Sequence, residues 1–334
     1  MIVDVPTAAE LTEAGLNLLN LAWTVGVELL RALRSDDALT ESDGLTDAYW
    51  ARSQPALTNG LAVIDQSLET LVKARIAAVS PFLLLSRRPV SPAKDISFAT
   101  LQTVGANDLF SLHNTVAPQR LGESFNKFLE DIRQKRNIIM HQPSASGPVH
   151  VADLFRLVTQ AYRFLFPADR WLDVRLRHLG AHPLTIPWTG NIHAALIDEL
   201  TVVVAMLTAA DLQVCFGYDA ASPAYRCPNC DGKLAQLRPN DPASTTLACF
   251  VCGATTPVVR HRCGTCGHDV ESELGMDGVA GAGECLFCGA LNDAVMEAAY
   301  TRAAAPTRRP RNPSAPSQPQ DHPPAPGSAP LGRS

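Results

Sequence analysis

The chain has 334 residues, 46% of them hydrophobic, and a formal net charge of −5. That length can bury a substantial core and suggests about two domains, while an acidic balance counts against a surface that grips nucleic acid along its whole extent. Met1-Ile-Val-Asp-Val-Pro6 lacks the basic segment and apolar run of a secretory signal, and the most apolar run, Val202 to Ala210, is bracketed by Asp198, Glu199 and Asp211. No membrane span and a cytoplasmic location are therefore expected.

From Ala8 to Leu33 apolar residues recur at helical spacing (Leu11, Leu18, Ala22, Val25, Leu29, Leu33), on a face wide enough for a central bundle helix. A second helix is expected from about Pro55 to Val79, with Pro81 ending it. Ser97 to Val116 reads as one or two short helices broken near Gly105 and restarted by a cap at Asn107-Asp108. Residues 120–141 form the next amphipathic helix, marked by Leu121, Phe125, Phe128, Leu129 and Ile132 and stopped by Pro143. Further helices are expected at Val151–Phe166, at 168–179 and from Asn191 to Val214.

The predicted fold class is mainly α. A helical bundle (1–166) and additional helices or a connector (167–221) precede two small zinc-ribbon modules with short β-strands (222–262 and 263–300). Residues 301–334 hold nine prolines and five arginines with almost no large apolar residue, so a disordered tail is expected.

Nine cysteines without a secretion signal argue for metal binding, because a reducing cytosol would not keep disulfides. Eight form four CxxC pairs: Cys227/Cys230 and Cys249/Cys252, then Cys263/Cys266 and Cys285/Cys288 with the same spacing, an internal repeat of 36 residues. Each CxxC turn aims two thiolates at one point, and two turns supply the four ligands of a closed, structural Zn²⁺ site. Pairing in sequence order makes each repeat a self-contained unit. In the cross-braced alternative, Cys249/Cys252 share a metal with Cys263/Cys266. The stretch 225–290 resembles the four-cysteine zinc-ribbon family. Cys215, left over, reads as a small buried hydrophobe.

With four thiolates per Zn²⁺ counted, the first ribbon carries about +1 and the second about −9. Arg226, Arg260 and Arg262 cluster near the knuckles of the first and are candidate phosphate contacts; screening of the thiolates explains them equally well. The acidic second ribbon reads as a surface for a protein partner or as a folding staple.

Arg133-Gln-Lys-Arg136-Asn137-Ile-Ile-Met-His141 closes the helix at 120–141 with a guanidinium, an amide and an imidazole. Arginine followed at this range by histidine is common, and Arg175/His182, Arg177/His182 and Arg262/His268 share it. Only Arg136/His141 ends a long amphipathic helix flanked by others. Over roughly residues 8–166 the chain resembles the HEPN superfamily, helical bundles marked by Arg, a polar residue and His. The resemblance implies a metal-independent endoribonuclease acting in a composite homodimer cleft. His141 would be general acid or base, Arg136 would hold the phosphate, and Asn137 would orient the pair. Arg133 and Lys135 would add local positive charge for RNA.

An imidazole moves protons near neutral pH and a guanidinium offers forked donors to phosphate, so the chemistry agrees. In a straight helix, five positions separate two side chains by more than a right angle, so convergence needs a loosened helix end or a second subunit. The same cations also suit a helix C-terminus, and Asp131 or Asp153 could pair Arg136. A non-catalytic zinc-binding adaptor or nucleic-acid-associated regulator, with the bundle dimerising, is the alternative.

Overall fold

The computed structural model describes residues 1–36, 42–86, 95–141, 147–181, 183, 191–237, 246–258, 262–268 and 285–290. Eight α-helices stand among them: α1 Ala8–Arg34, α2 Asp43–Ala77, α3 Ala106–Val116, α4 Glu123–His141, α5 Val151–Leu165, α6 Trp171–Ala181, α7 Ile192–Met206 and α8 Ala209–Phe216. Two short strands, β1 Ile2–Val3 and β2 Ile96–Ser97, pair in parallel beside the bundle; β3 Ala235–Leu237, β4 Thr246–Cys249 and β5 Thr255–Pro257 form an antiparallel sheet in the order β3-β4-β5. The chain is thus mainly helical with little strand, as expected.

α1 starts on a capping box, in which Thr7 and Glu10 satisfy each other's backbone N–H groups. Its wide apolar face buries Leu19, Ala22, Trp23, Val27 and Leu30 against α2, α5, α6 and α7. α1 is long and apolar enough to cross a membrane by composition, with a mean hydropathy of 1.2, but Trp23 and its neighbours pack inside the bundle.

α4 and α6 each begin three residues later than expected, and three other boundaries differ as follows. α2 begins at Asp43, not near Pro55, and Pro55 lies inside it. The ring removes one backbone donor, a cost the helix bears because Leu57, Leu61, Ile64, Leu68 and Leu71 anchor the turns that follow. The helix expected from Asn191 to Val214 is two: α7 ends at Met206, and Thr208 opens α8 with a second capping box to Asp211. α3 is capped by Gly105, not by Asn107-Asp108.

α6, α7 and α8 extend the bundle. Trp171 packs beside Trp23 at a ring separation of 5.7 Å. Deeper in, Arg175 donates to both carboxylate oxygens of Glu199 (Nη2 at 2.7 Å, Nε at 2.9 Å), and Trp23 Nε1 donates to the same carboxylate at 3.2 Å. Arg175 Nη1 also donates to the Asn20 side chain. Arg175 and Glu199 are only 2% and 3% exposed, so this ion pair lies in the core.

The same helices hold the first cysteine module. Phe250 packs against Phe216 and Tyr218, Gly232 lies against Ile197, and Arg170 donates to the carbonyl oxygens of Phe250 and Val251. One apolar core therefore runs from α1 through α8 to Cys227, Cys249 and Val251. The stretch 301–334, expected to be a disordered tail, lies outside the described residues, as do residues 269–284, which carry much of the acidic charge of the second ribbon.

Candidate metal centres and the Arg136 cluster

Four turns of identical backbone geometry carry the eight cysteines. In each, the N–H four residues after the first cysteine donates to that cysteine's carbonyl (Asp231 to Cys227, Gly253 to Cys249, Gly267 to Cys263, Gly289 to Cys285), at 2.7–2.9 Å. The first cysteine's own N–H donates in turn to the carbonyl five residues on. Closing so tight a turn puts the residue after the second cysteine in the left-handed region: Gly253, Gly267 and Gly289 have φ of 73–77° and Asp231 has 62°. Glycine at three of the four positions follows from that, and Asp is among the few side chains that tolerate the fourth.

The sulfurs gather in two sets, Cys227/Cys230/Cys249/Cys252 and Cys263/Cys266/Cys285/Cys288, each with all Sγ atoms within 4.8 Å of one another. The grouping follows sequence order, so the cross-braced arrangement is not adopted. Sγ···Sγ separations include 3.7 Å (Cys227–Cys252, Cys230–Cys249), 3.8 Å (Cys263–Cys288) and 3.7 Å (Cys266–Cys285). A tetrahedron with metal–sulfur bonds of ~2.3 Å has edges of ~3.8 Å, so each set fits one ion. A polynuclear iron–sulfur cluster would hold its cysteines farther apart, because several irons lie between them. Hydrogen bonds from the Cys230 and Cys249 thiols hold Cys227 far below the usual thiol range, and keeping those protons pushes Cys230 and Cys249 above it. A soft cation would replace the shared protons.

The two sets are neighbours. Arg226 N–H, at the edge of the first, donates to Leu286 O inside the second at 2.8 Å. Phe287 stacks on His268 at 3.6 Å, with Tyr225 edge-on to Phe287 at 6.1 Å. Of the arginines singled out as phosphate contacts, Arg226 pairs with Asp231 at 3.2 Å, Arg262 is exposed, and Arg260 lies outside the described residues.

On the bundle, α4 presents its charged residues to α2. Arg136 Nη1 donates to Asp65 Oδ2 at 2.8 Å, while its Nε and Nη2 donate to Asn137 Oδ1 at 3.3 and 2.8 Å. Arg133 Nε approaches Asp65 Oδ1 at 3.8 Å and its Nη2 donates to Ala106 O at 2.7 Å. The Asp65 side chain is 6% exposed, whereas that of Arg136 is 41% exposed. Burial pushes the Asp65 carboxyl above the usual carboxylate range, against the opposing pull of Arg136 and Arg133. Asn137, Lys135 and His141 are exposed.

Neither expected partner takes Arg136: Asp153 pairs with Arg156 instead. The partner is Asp65, 71 residues away, which sequence reasoning missed. Its signal was a carboxylate four after Leu61 and three before Leu68, on an apolar stripe. Arg175, half of a competing Arg/His spacing, is committed to Glu199 in the core, and His182 lies outside the described residues.

A cavity of about 320 Å³ flanks α4, lined by Leu61, Lys135, Ile138, Ile139, Val149 and Leu157 among others, and one of about 660 Å³ lies across Val149 from it, bordered by Trp50, Gln54, Arg156 and Asp211. Arg136 and His141 line neither. Cys215 is buried at a third cavity beside Trp171 and Phe250, and burial pushes its thiol pKa up, in keeping with an inert packing role. Comparison with protein-family models, with curated proteins and with solved structures finds no match to this chain.

Proposed function

We propose that this protein is a homodimeric, HEPN-like endoribonuclease whose two four-cysteine sites each hold a structural Zn²⁺ beside the helical bundle. The observation that carries the reading is Arg136, held between Asp65 and Asn137 while still 41% exposed, on a helix that ends in an exposed His141. Three of its five N–H donors are taken among the described residues, which leaves donors for an RNA phosphodiester.

In the reaction the RNA 2′-oxygen attacks the adjacent phosphorus, the P–O5′ bond breaks, and a 2′,3′-cyclic phosphate and a 5′-hydroxyl result. One proton leaves the 2′-oxygen and one reaches the 5′-oxygen; His141 carries one of these transfers, and Arg136 bears the charge that builds on the phosphate. A second subunit completes the cleft, because Arg136 and His141 are five positions apart on one helix. Lys135 and Arg133 add local positive charge. The four sulfurs of each zinc leave no open coordination position, so the metal supplies folding and not catalysis.

The test is incubation of zinc-loaded protein with a mixed RNA pool in magnesium-free buffer, beside His141→Ala and Arg136→Ala. Cleavage by the wild type, with cyclic phosphate ends, is expected; it should be lost in His141→Ala and fall to a small residual single-turnover rate in Arg136→Ala. A folded, dimeric, zinc-loaded wild type that cuts nothing would overturn the ribonuclease reading and favour an adaptor, with the acidic second ribbon as the face for a protein partner.

A further inference from the structure

Among the described residues three carboxylates of the bundle are buried, Asp65, Glu199 and Asp211. Asp211 accepts hydrogen bonds from Thr208 and Arg156, and the other two are used differently. Taking a carboxylate out of water is costly, and the cost is offset only when its lone pairs are filled. Glu199 meets that condition: Oε1 accepts from Arg175, and Oε2 accepts from Arg175 and from Trp23. Asp65 does not. Oδ2 accepts from Arg136, but Oδ1 has no hydrogen-bond partner among the described residues, with Arg133 Nε no nearer than 3.8 Å.

The position itself favours an apolar residue. Asp65 sits beside Ile64 and one turn from Leu61 and Leu68, all buried. The charged groups that face it are Arg133 and Arg136 from α4 and Glu69 one turn along α2, which is itself paired with Lys73. Arg133 is drawn off by its bond to the Ala106 carbonyl, so Arg136 is the one cation that Asp65 orients directly among the described residues. A stability role alone is poorly served by such an incompletely bonded carboxylate. It is well suited to fixing the plane of a half-exposed guanidinium.

We infer that Asp65 is a positioning residue for Arg136: with Asn137, it holds the guanidinium so that its uncommitted donors meet the RNA phosphodiester in one orientation. The inference rests on the ribonuclease reading above. It also predicts a split between binding and rate. Asp65→Asn keeps the shape but removes a negative charge beside the phosphate site, so RNA is held at least as well while the guanidinium loses its fixed orientation.

The experiment measures two quantities for wild type, Asp65→Asn, Arg136→Ala and the double variant. One is the affinity for an uncleavable oligonucleotide with a 2′-deoxy substitution at the scission site. The other is the single-turnover rate with saturating RNA. Asp65→Asn is expected to lower the rate by at least ~10-fold with affinity unchanged or raised, and to change it by less than ~2-fold when Arg136 is already alanine. A wild-type rate in Asp65→Asn, or an equal loss with and without Arg136, would overturn the inference. So would an Asp65→Asn protein that no longer folds, since the carboxylate would then be structural. A wild type that binds the analogue but cleaves nothing would remove the ribonuclease reading alone; the Asp65 inference would then require that Asp65→Asn change affinity only where Arg136 is present.

Discussion

Arg170 and Gly253 share one space: the guanidinium at the start of α6 lies where a Cβ on Gly253 would have to be, and from there it donates to the Phe250 and Val251 carbonyl oxygens. The absence of a side chain at Gly253 thus serves twice, once for the left-handed turn after Cys252 and once to let the bundle reach the metal knuckle. Gly253→Ala is expected to destabilise the protein by about 2–4 kcal/mol, the sum of a strained φ and displaced Arg170 hydrogen bonds. In an Arg170→Ala background the same change should cost only the backbone part. Denaturant unfolding of the four proteins measures the coupling.

The buried Arg175–Glu199 pair gives a second prediction. Removing one partner leaves a buried charge uncompensated, so Glu199→Ala should cost about 3–5 kcal/mol. Replacing both, with Arg175→Met and Glu199→Leu, should recover much of that loss, since the pair's own desolvation disappears with it. Urea midpoints of wild type and the two variants decide it.

Metal content offers a third. Each chain is expected to carry two Zn²⁺, each held by four sulfurs, as read by elemental analysis and by the ligand-field bands of a cobalt-substituted sample. Cys249→Ser should remove one equivalent and loosen the contacts of Phe250 with Phe216 and Tyr218. Cys285→Ser should remove the other equivalent and leave those contacts in place. A single equivalent in the wild type would contradict the two-site reading.

Stability against pH should show the mark of His113, which is buried on α3 with Nε2 lacking a hydrogen-bond partner among the described residues. Burial, and the nearby Arg75, hold its pKa below the ordinary histidine value, while its bond to Asn114 opposes them. Because the folded value is the lower one, the unfolded chain takes up the proton first as pH falls. The neutral ring's contribution is therefore intact above about pH 6.5 and is lost as pH drops below it. His113→Gln should flatten the fall in stability below about pH 6.5, followed by thermal melting at constant ionic strength.

Local patterns announce most of the helices. The run Phe125, Phe128, Leu129, Ile132 is apolar at helical spacing and buried as such, whereas in α1 only Ala22 and Leu33 of the marked stripe are buried and the core face is centred beside it on Leu19, Trp23, Val27 and Leu30. Where a boundary differs, the deciding force is remote or a local signal was overlooked. Pro55 stays helical because the residues beyond it are anchored in the core, while the Thr208–Asp211 capping box is present in the sequence and marks the start of α8.

The site divides in the same way. The CxxC pairs, their repeat and the glycines after them are written in neighbouring residues, because a metal knuckle is built from one short turn and its ligands must lie within it. Which knuckles share an ion, which carboxylate meets Arg136, and how Arg170 reaches the first metal centre depend on residues 19 to 81 positions apart brought together by packing. Charge and spacing along the chain mark candidates for such meetings, as the cysteine repeat and the carboxylate on the apolar stripe do, but do not fix which partners meet. Only the burial of α1 and α2 against the later helices places Asp65 under Arg136 and Glu199 against Arg175, and it does so because the apolar faces leave no other way to exclude water.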